Sequence, residues 1–129
     1  MESNYDFKGK KMLLAEDDRD SIKLVQEMLK DTGIEILLAK TGLEALYIAS
    51  ENKDLNLILM DIRMPGMDGY QSTKKIREFN KKIPIIAYTG YVEDGVKEKI
   101  LNSEFNDYLP KPVSKATLLS TLNDYLIRR

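Results

Sequence analysis

Five residues in four separate segments have side chains suited to phosphate chemistry. They are the adjacent acids Glu16 and Asp17, then Asp61, Thr89 and Lys111. A carboxylate can attack phosphorus, but the phosphoryl group carries negative charge, so the reaction needs positive charge nearby. A lysine and a divalent ion would supply that charge. The residue types therefore indicate phosphoryl transfer, provided that folding brings the segments together.

Three carboxylates in one place would also attract a metal ion. Like charges 4 Å apart repel by about 4 kcal/mol at an effective dielectric constant of 20, so such a group raises its pKa values or binds a cation. The chain contains no His and no Cys, and ligands that are all oxygen favour a hard ion. Mg²⁺ is therefore the expected cofactor, with Mn²⁺ as an alternative.

Each of these residues also has an ordinary explanation. Asp61 could simply end a strand at a turn, and the acidic run that begins at Glu16 could be only a helix start. Thr89 could be a common strand residue, and Lys111 could be a solvated surface lysine. The functional interpretation is favoured because all of them are expected at one edge of a sheet.

Apolar segments alternate five times with segments of helical apolar spacing. The predicted strands cover residues 12–15, 34–39, 55–60, 85–88 and 106–109. Four of the helices have predicted N-caps, at Asp18 or Asp20, Thr41, Asp68 and Ser114. Such alternation predicts a parallel sheet between helices, reached by right-handed crossovers. The carboxyl ends of all strands then meet at one edge, where the five residues named above follow their strands.

Two helices carry expectations about packing. The second helix is expected to have one apolar face, formed by Leu43, Leu46 and Tyr47. The fourth helix, near residues 92–101, has only a thin apolar stripe, formed by Val92, Val96 and Ile100. We therefore expect the fourth helix to pack marginally and to be a candidate for movement.

Composition limits the class of protein. The 129 residues are 43% hydrophobic and 32% charged, which is typical of one soluble globular domain. The net charge of −1 provides no basic excess for direct binding of nucleic acid or anionic lipid. No apolar run approaches the ~20 residues of a spanning helix, and no signal peptide is visible. We expect a cytoplasmic location without membrane insertion, a flexible lead-in or linker over residues 1–9, and a folded domain over residues 10–129.

The chain resembles the response-regulator receiver domain, the phosphoacceptor module of two-component signalling. The resemblance covers about residues 10–127 and rests on four segments in the family's order and spacing, MLLAEDD, LILMDIRMPGMDG, PIIAYTG and DYLPKP. It implies an α/β, flavodoxin-like (βα)5 three-layer sandwich with a five-stranded parallel sheet in the order 2-1-3-4-5. It also implies a phosphoacceptor that catalyses its own phosphorylation and dephosphorylation rather than an enzyme.

The resemblance assigns roles to the matching acids. Asp61 is expected to take a phosphoryl group from a phosphohistidine on a histidine kinase or a histidine phosphotransfer domain. Glu16, Asp17 and Asp61 are expected to hold Mg²⁺, with Asp17 as a direct ligand. The backbone carbonyl of Arg63 is expected to complete the metal site.

The resemblance also assigns roles in switching. Thr89 is expected to turn toward the phosphoryl oxygens and Lys111 to pair with the phosphate. Tyr108 matches the aromatic switch residue, and the bond between Lys111 and Pro112 is expected to be cis. The surface of the fourth helix, fifth strand and last helix is then expected to change, and a homodimer could form through it.

Some positions depart from the family pattern or tune it. Glu16 stands where the family more often has Asp, so the longer side chain could reach a metal through water. Ser103 and Glu104 stand where many members have a small residue and Gly, so this loop is expected to differ. Arg63 and Tyr91 occupy the two side-chain sites that tune the lifetime of the phosphoryl group in the family.

Two other classes of protein remain as alternatives. A hydrolase of haloacid-dehalogenase type also forms an aspartyl phosphate, but it usually has a second Asp two residues after the nucleophile, where this chain has Arg63. A pseudo-receiver or flavin-binding relative would lack phosphate chemistry, and the intact acceptor, metal and lysine positions argue against it. The lead-in DFKGKKMLLAEDD resembles the junction before the receiver of hybrid sensor histidine kinases, which favours that origin over a stand-alone regulator.

Overall fold

The structure, a computed structural model, describes residues 5–90 and 94–128. It is built around a central sheet of five parallel strands. The strands are β1 (Lys11–Ala15), β2 (Glu35–Ala39), β3 (Leu57–Asp61), β4 (Ile85–Thr89) and β5 (Asp107–Pro110). The helices are α1 (Arg19–Leu29), α2 (Gly42–Glu51), α3 (Gly69–Arg77), α4 (Val96–Leu101) and α5 (Lys115–Leu126). The strand order is β2-β1-β3-β4-β5, so the predicted flavodoxin-like fold is confirmed.

The central strands are buried on both faces because helices cover each side of the sheet. Every residue of β3 and β4 is buried. Alternate side chains along a strand point to opposite faces, and two core clusters result. Leu59 and Tyr88 belong to the cluster with α1 and α5, whereas Met60 and Ala87 belong to the cluster with α2, α3 and α4. No helix within residues 5–90 and 94–128 has the length and apolar character needed to cross a bilayer.

Polar side chains cap the helices as the sequence predicts, with α4 as the exception. The capping side chains, each of which accepts a hydrogen bond from a backbone N–H three residues later, are Asp18, Thr41, Asp68 and Ser114. Helix α4 begins after Gly95, which has a φ of 85° and no capping side chain. Within Val96–Leu101, Ile100 alone is buried, which agrees with the predicted thin packing. The predicted start near Val92 lies outside the described residues.

The prediction for the apolar face of α2 is wrong for Leu43 and Tyr47 but not for Leu46, which packs against the core. Leu43 and Tyr47 are each 63% exposed, and the buried side chains are instead Ala45 and Ala49. Helix α2 packs closely against α3 and the loop before it. A Cβ atom on Gly42 would lie 2.2 Å from the carbonyl oxygen of Met67. This close approach requires the face with the small side chains, so Leu43 and Tyr47 point outward, while Leu46 stays half-buried against the core.

Part of the segment that was expected to be a flexible lead-in packs against the domain. Phe7 is fully buried and packs in the core cluster with α1 and α5. Its backbone N–H donates to the carbonyl oxygen of Thr32 at 2.7 Å, and its carbonyl oxygen accepts from the N–H of Lys10 at 2.9 Å. The segment before β1 is therefore packed against the domain. Residues 1–4 lie outside the described residues.

Candidate functional site

The carboxyl edge of the sheet brings together the predicted site residues. Glu16 and Asp17 follow β1, Asp61 and Thr89 end β3 and β4, and Lys111 follows β5. Glu16, Asp61 and Thr89 are 0%, 5% and 1% exposed. Asp17 is exposed and Lys111 is half-buried. Two buried acids therefore lie beneath one acid and one lysine that solvent can reach.

Glu16, Asp17 and Asp61 form a group of three carboxylates. One oxygen atom from each lies within 4.8 Å of the others. The N–H of Arg63 donates to Asp61 Oδ1 at 3.0 Å, and the N–H of Asp18 donates to Glu16 Oε2 at 3.1 Å. Burial raises the pKa of Glu16, although the contact with Lys111 opposes the rise. The donor set is all oxygen and strongly anionic, which fits a hard divalent ion such as Mg²⁺ or Mn²⁺.

Lys111 bridges the two buried carboxylates. Its Nζ atom forms an ion pair with Glu16 Oε1 and lies 3.2 Å from Asp61 Oδ2. Burial acts to lower the pKa of Lys111, but the contacts with Glu16 and Asp61 outweigh it and raise the pKa above the ordinary value. The contact with Glu16 was not predicted from the sequence. The ammonium group therefore stays charged beside Asp61.

Backbone hydrogen bonding fixes the position of Lys111 at the end of β5. Its N–H donates to the carbonyl oxygen of Thr89 at 2.8 Å, which continues the pairing between β4 and β5. The Lys111–Pro112 peptide bond is cis, in agreement with the expectation. The side chains of Thr89 and Lys111 thus belong to adjacent strand ends.

Arg63 and Tyr108 lie on the side of the site that faces α4. Arg63 is exposed and lines, with Asp17, a cleft of about 690 Å³ between the β3–α3 loop and α4. Tyr108 pairs with Ala87 in the sheet and is partly buried against the core cluster of that side. The Nζ atom of Lys97, on α4, lies 6.0 Å from the centre of the Tyr108 ring. Tyr91, the second position that tunes phosphoryl lifetime in the family, lies outside the described residues.

Tyr88 lies beside Lys111 but was not predicted from the sequence as a site residue. This side chain is 1% exposed, and Lys111 Nζ lies 5.0 Å from the centre of its ring. Burial raises the pKa of the Tyr88 phenol. The available signal was an aromatic residue directly before Thr89 in a strand that is otherwise aliphatic.

Comparison with known proteins identifies the family. The sequence profile of the response regulator receiver domain matches residues 12–123. The chain therefore belongs to this family and is a receiver domain of two-component and phosphorelay signalling. Hybrid signal transduction histidine kinase I of Dictyostelium discoideum is 39% identical over 126 residues, which are 92% of this chain and 7% of that kinase. The chain spans between 7% and 21% of the length of three larger curated relatives that it matches.

Solved receiver domains share the fold. The receiver domain of sensor histidine kinase PA1611 from Pseudomonas aeruginosa PAO1 superposes with a TM-score of 0.83 at 35% identity, covering 92% of this chain and 98% of that one. That structure contains a magnesium ion coordinated in the active site cleft. A second match is the Saccharomyces cerevisiae complex of the histidine phosphotransfer protein Ypd1 with the receiver domain of Ssk1. Its TM-score is 0.84 at 31% identity, with 93% of this chain and 90% of the other covered.

Proposed function

We propose that Asp61 of this receiver domain accepts a phosphoryl group from a phosphohistidine on a histidine kinase or histidine phosphotransfer partner. The observation that carries the proposal is the position of Lys111 Nζ, 3.2 Å from a carboxylate that is 5% exposed at the carboxyl edge of the sheet. The structure of Ssk1 with a histidine phosphotransfer protein supports this class of partner. We expect the domain to catalyse its own phosphorylation and dephosphorylation, without turnover of phosphoester substrates.

The transfer step requires one bond to form and one to break. A carboxylate oxygen of Asp61 attacks phosphorus, and the bond from phosphorus to the imidazole nitrogen of the donor breaks. The imidazole keeps the electron pair and takes up a proton. The Lys111 ammonium group offsets charge on the transferred phosphoryl oxygens, and the hydroxyl of Thr89 donates a hydrogen bond to one of them. The N–H of Arg63 holds Asp61 in place during the step.

Glu16, Asp17 and Asp61, with the backbone carbonyl of Arg63, would hold a divalent ion. Bound Mg²⁺ or Mn²⁺ would supply positive charge that offsets the charge on the phosphoryl oxygens. Asp17 is the proposed direct ligand because it is exposed, whereas Glu16 is already paired with Lys111. The magnesium ion in the cleft of the PA1611 receiver domain supports the same class of ion here.

Phosphorylation would then shift an equilibrium between two conformations through Thr89 and Tyr108. Thin packing of α4, with Ile100 as the buried residue of Val96–Leu101, makes this helix the element that would move. The surface of α4, β5 and α5 would change as a result. If the phosphorylated domain forms a homodimer, this surface would be the interface. We also propose that the domain works in the cytoplasm as the receiver of a hybrid histidine kinase.

Small-molecule phosphorylation tests the assignment of Asp61. With Mg²⁺ and acetyl phosphate, the wild-type chain should gain the mass of one phosphoryl group, and EDTA should prevent it. Asp61→Asn should abolish labelling, whereas Asp54→Asn, on an exposed acid paired with Lys11, should not change it. Labelling that survives Asp61→Asn would overturn the assignment. Steady release of phosphate from phosphoesters would instead support a hydrolase.

A further inference from the structure

Among the described residues, the ammonium group of Lys111 contacts two carboxylates and one aromatic ring. The carboxylates are those of Glu16 and Asp61. The ring is that of Tyr88, and its centre is 5.0 Å from Nζ. The distance lies within the roughly 6 Å over which a ring face attracts a cation.

The Tyr88 ring is a rigid partner for this contact. Tyr88 lies in β4, pairs with Asp61 on one side and with Leu109 on the other, and is 1% exposed. Its side chain packs in the core cluster that includes Met12 and Leu118. Lys111, by contrast, has a flexible four-carbon stem that loses rotamer entropy when it is held in place. A fixed ring face beneath the ammonium group would reduce the number of positions that this stem can adopt.

The two kinds of neighbour differ in what happens to them during the reaction. The carboxylate of Asp61 becomes an acyl phosphate, so its interaction with Lys111 changes as the reaction proceeds. The face of Tyr88 takes no part in that change. It can therefore hold the ammonium group near the reacting atoms throughout the transfer.

We infer that Tyr88 is a positioning residue for Lys111, and that its ring face keeps the ammonium group directed at Asp61. This inference rests on the proposed phosphoacceptor function. It requires the ring rather than the hydroxyl group, so Phe should replace Tyr88 without loss. An aliphatic residue of similar size should fill the core but should not attract the cation.

The test compares Tyr88→Phe with Tyr88→Leu by the rate of labelling with acetyl phosphate and Mg²⁺. The Leu variant should label about fivefold more slowly, since the contact between a half-buried cation and a ring face is worth about 1 kcal/mol and the Glu16 contact remains. The Phe variant should match wild type. Tyr47→Leu, which makes the same exchange at an exposed position, should also match wild type.

A double-mutant cycle separates positioning from general damage to the fold. In a Lys111→Ala background, Tyr88→Leu should leave the residual labelling rate unchanged, because the residue through which Tyr88 acts is gone. A second drop in that background would overturn the inference, as would a Leu variant that labels at the wild-type rate. The unfolding midpoint of each variant is measured in parallel. Tyr88→Met also lacks a ring and should label as slowly as the Leu variant. A Met variant that folds and labels at the wild-type rate would therefore overturn the inference even if the Leu variant does not fold.

Nuclear magnetic resonance in EDTA provides a readout without phosphorylation. The ring current of Tyr88 should shift the ε-methylene protons of Lys111 upfield in wild type and in Tyr88→Phe, but not in Tyr88→Leu. Absence of that shift in wild type would overturn the inference. If wild type shows the shift but takes no label at Asp61, the proposed function fails while the contact stands.

Discussion

Replacement of Phe7 by Ala tests whether the segment before β1 is part of the folded domain. Phe7 is fully buried among side chains of α1 and α5, and removal of a buried Phe typically costs about 3–5 kcal/mol. Domains of ordinary stability have about 5–15 kcal/mol in total, so the variant should fold but with a small margin. Chains of 129 residues have an unfolding entropy of about 0.27 kcal/mol/K. The melting temperature should therefore fall by about 11–18 °C.

Urea unfolding followed by circular dichroism measures the loss directly. Phe79→Ala is the matched control because it makes the same exchange at a side chain that is 51% exposed, and its stability should change by less than about 1 kcal/mol. The dependence on urea should keep the same slope in both variants if unfolding stays two-state. A loss below about 1 kcal/mol for Phe7→Ala would show that the lead-in does not pack on the core.

Three further predictions concern the site and its supports. Gly69→Ala should lower the free energy of unfolding by about 1–3 kcal/mol and slow labelling with acetyl phosphate, because the new Cβ would lie 2.4 Å from the carbonyl oxygen of Asp61. Gly90→Ala is the control: its Cβ would lie 3.7 Å from its nearest neighbour, so both the stability and the labelling rate should stay near wild type. Arg77→Met should lower the free energy of unfolding in urea by at least about 2 kcal/mol. The buried guanidinium donates to three backbone carbonyl oxygens and to a side-chain amide oxygen, and a buried acceptor left without a hydrogen bond costs about 1–3 kcal/mol. Mg²⁺ at a hundred times its dissociation constant should raise the free energy of unfolding of wild type by about 2.7 kcal/mol in urea unfolding. At the same Mg²⁺ concentration, Asp17→Asn should be stabilised by less, and equal stabilisation would exclude Asp17 as a ligand.

The loop before β5 shows what a departure from the family pattern does to the backbone. Glu104 has a φ of 72°, a left-handed conformation that favours Gly and costs a residue with a side chain roughly 1–2 kcal/mol. Its carbonyl oxygen accepts a hydrogen bond from Arg77 Nε at 3.1 Å. This loop was expected to differ from the family pattern, and Glu104 adopts in it the left-handed conformation that favours Gly.

Much of the fold could be predicted because its causes are local. A strand buried on both faces leaves a nearly continuous apolar run, and residues 55–60 and 85–88 are such runs. Helix caps join residues three positions apart, so Asp68 and Ser114 could be recognised without tertiary contacts. The parallel order of the strands then placed the acids, the hydroxyl and the lysine at one edge.

Packing partners could not be predicted in the same way. Helical spacing alone does not say which face of α2 turns inward, and close approach to α3 selected Ala45 and Ala49 over Leu43. Phe7 lies outside any segment with helical or strand periodicity, so no pattern in the sequence predicted that it would be buried in the core.

By itself, the sequence determined the elements and the residue types available at the sheet edge, because burial and capping act within a few residues. The tertiary structure alone decided that Lys111 contacts Glu16 as well as Asp61 and lies over Tyr88. Those contacts join segments far apart in the chain. The distances of these contacts depend on how adjacent strands align and on how each side chain packs. Neither can be predicted from a local sequence pattern.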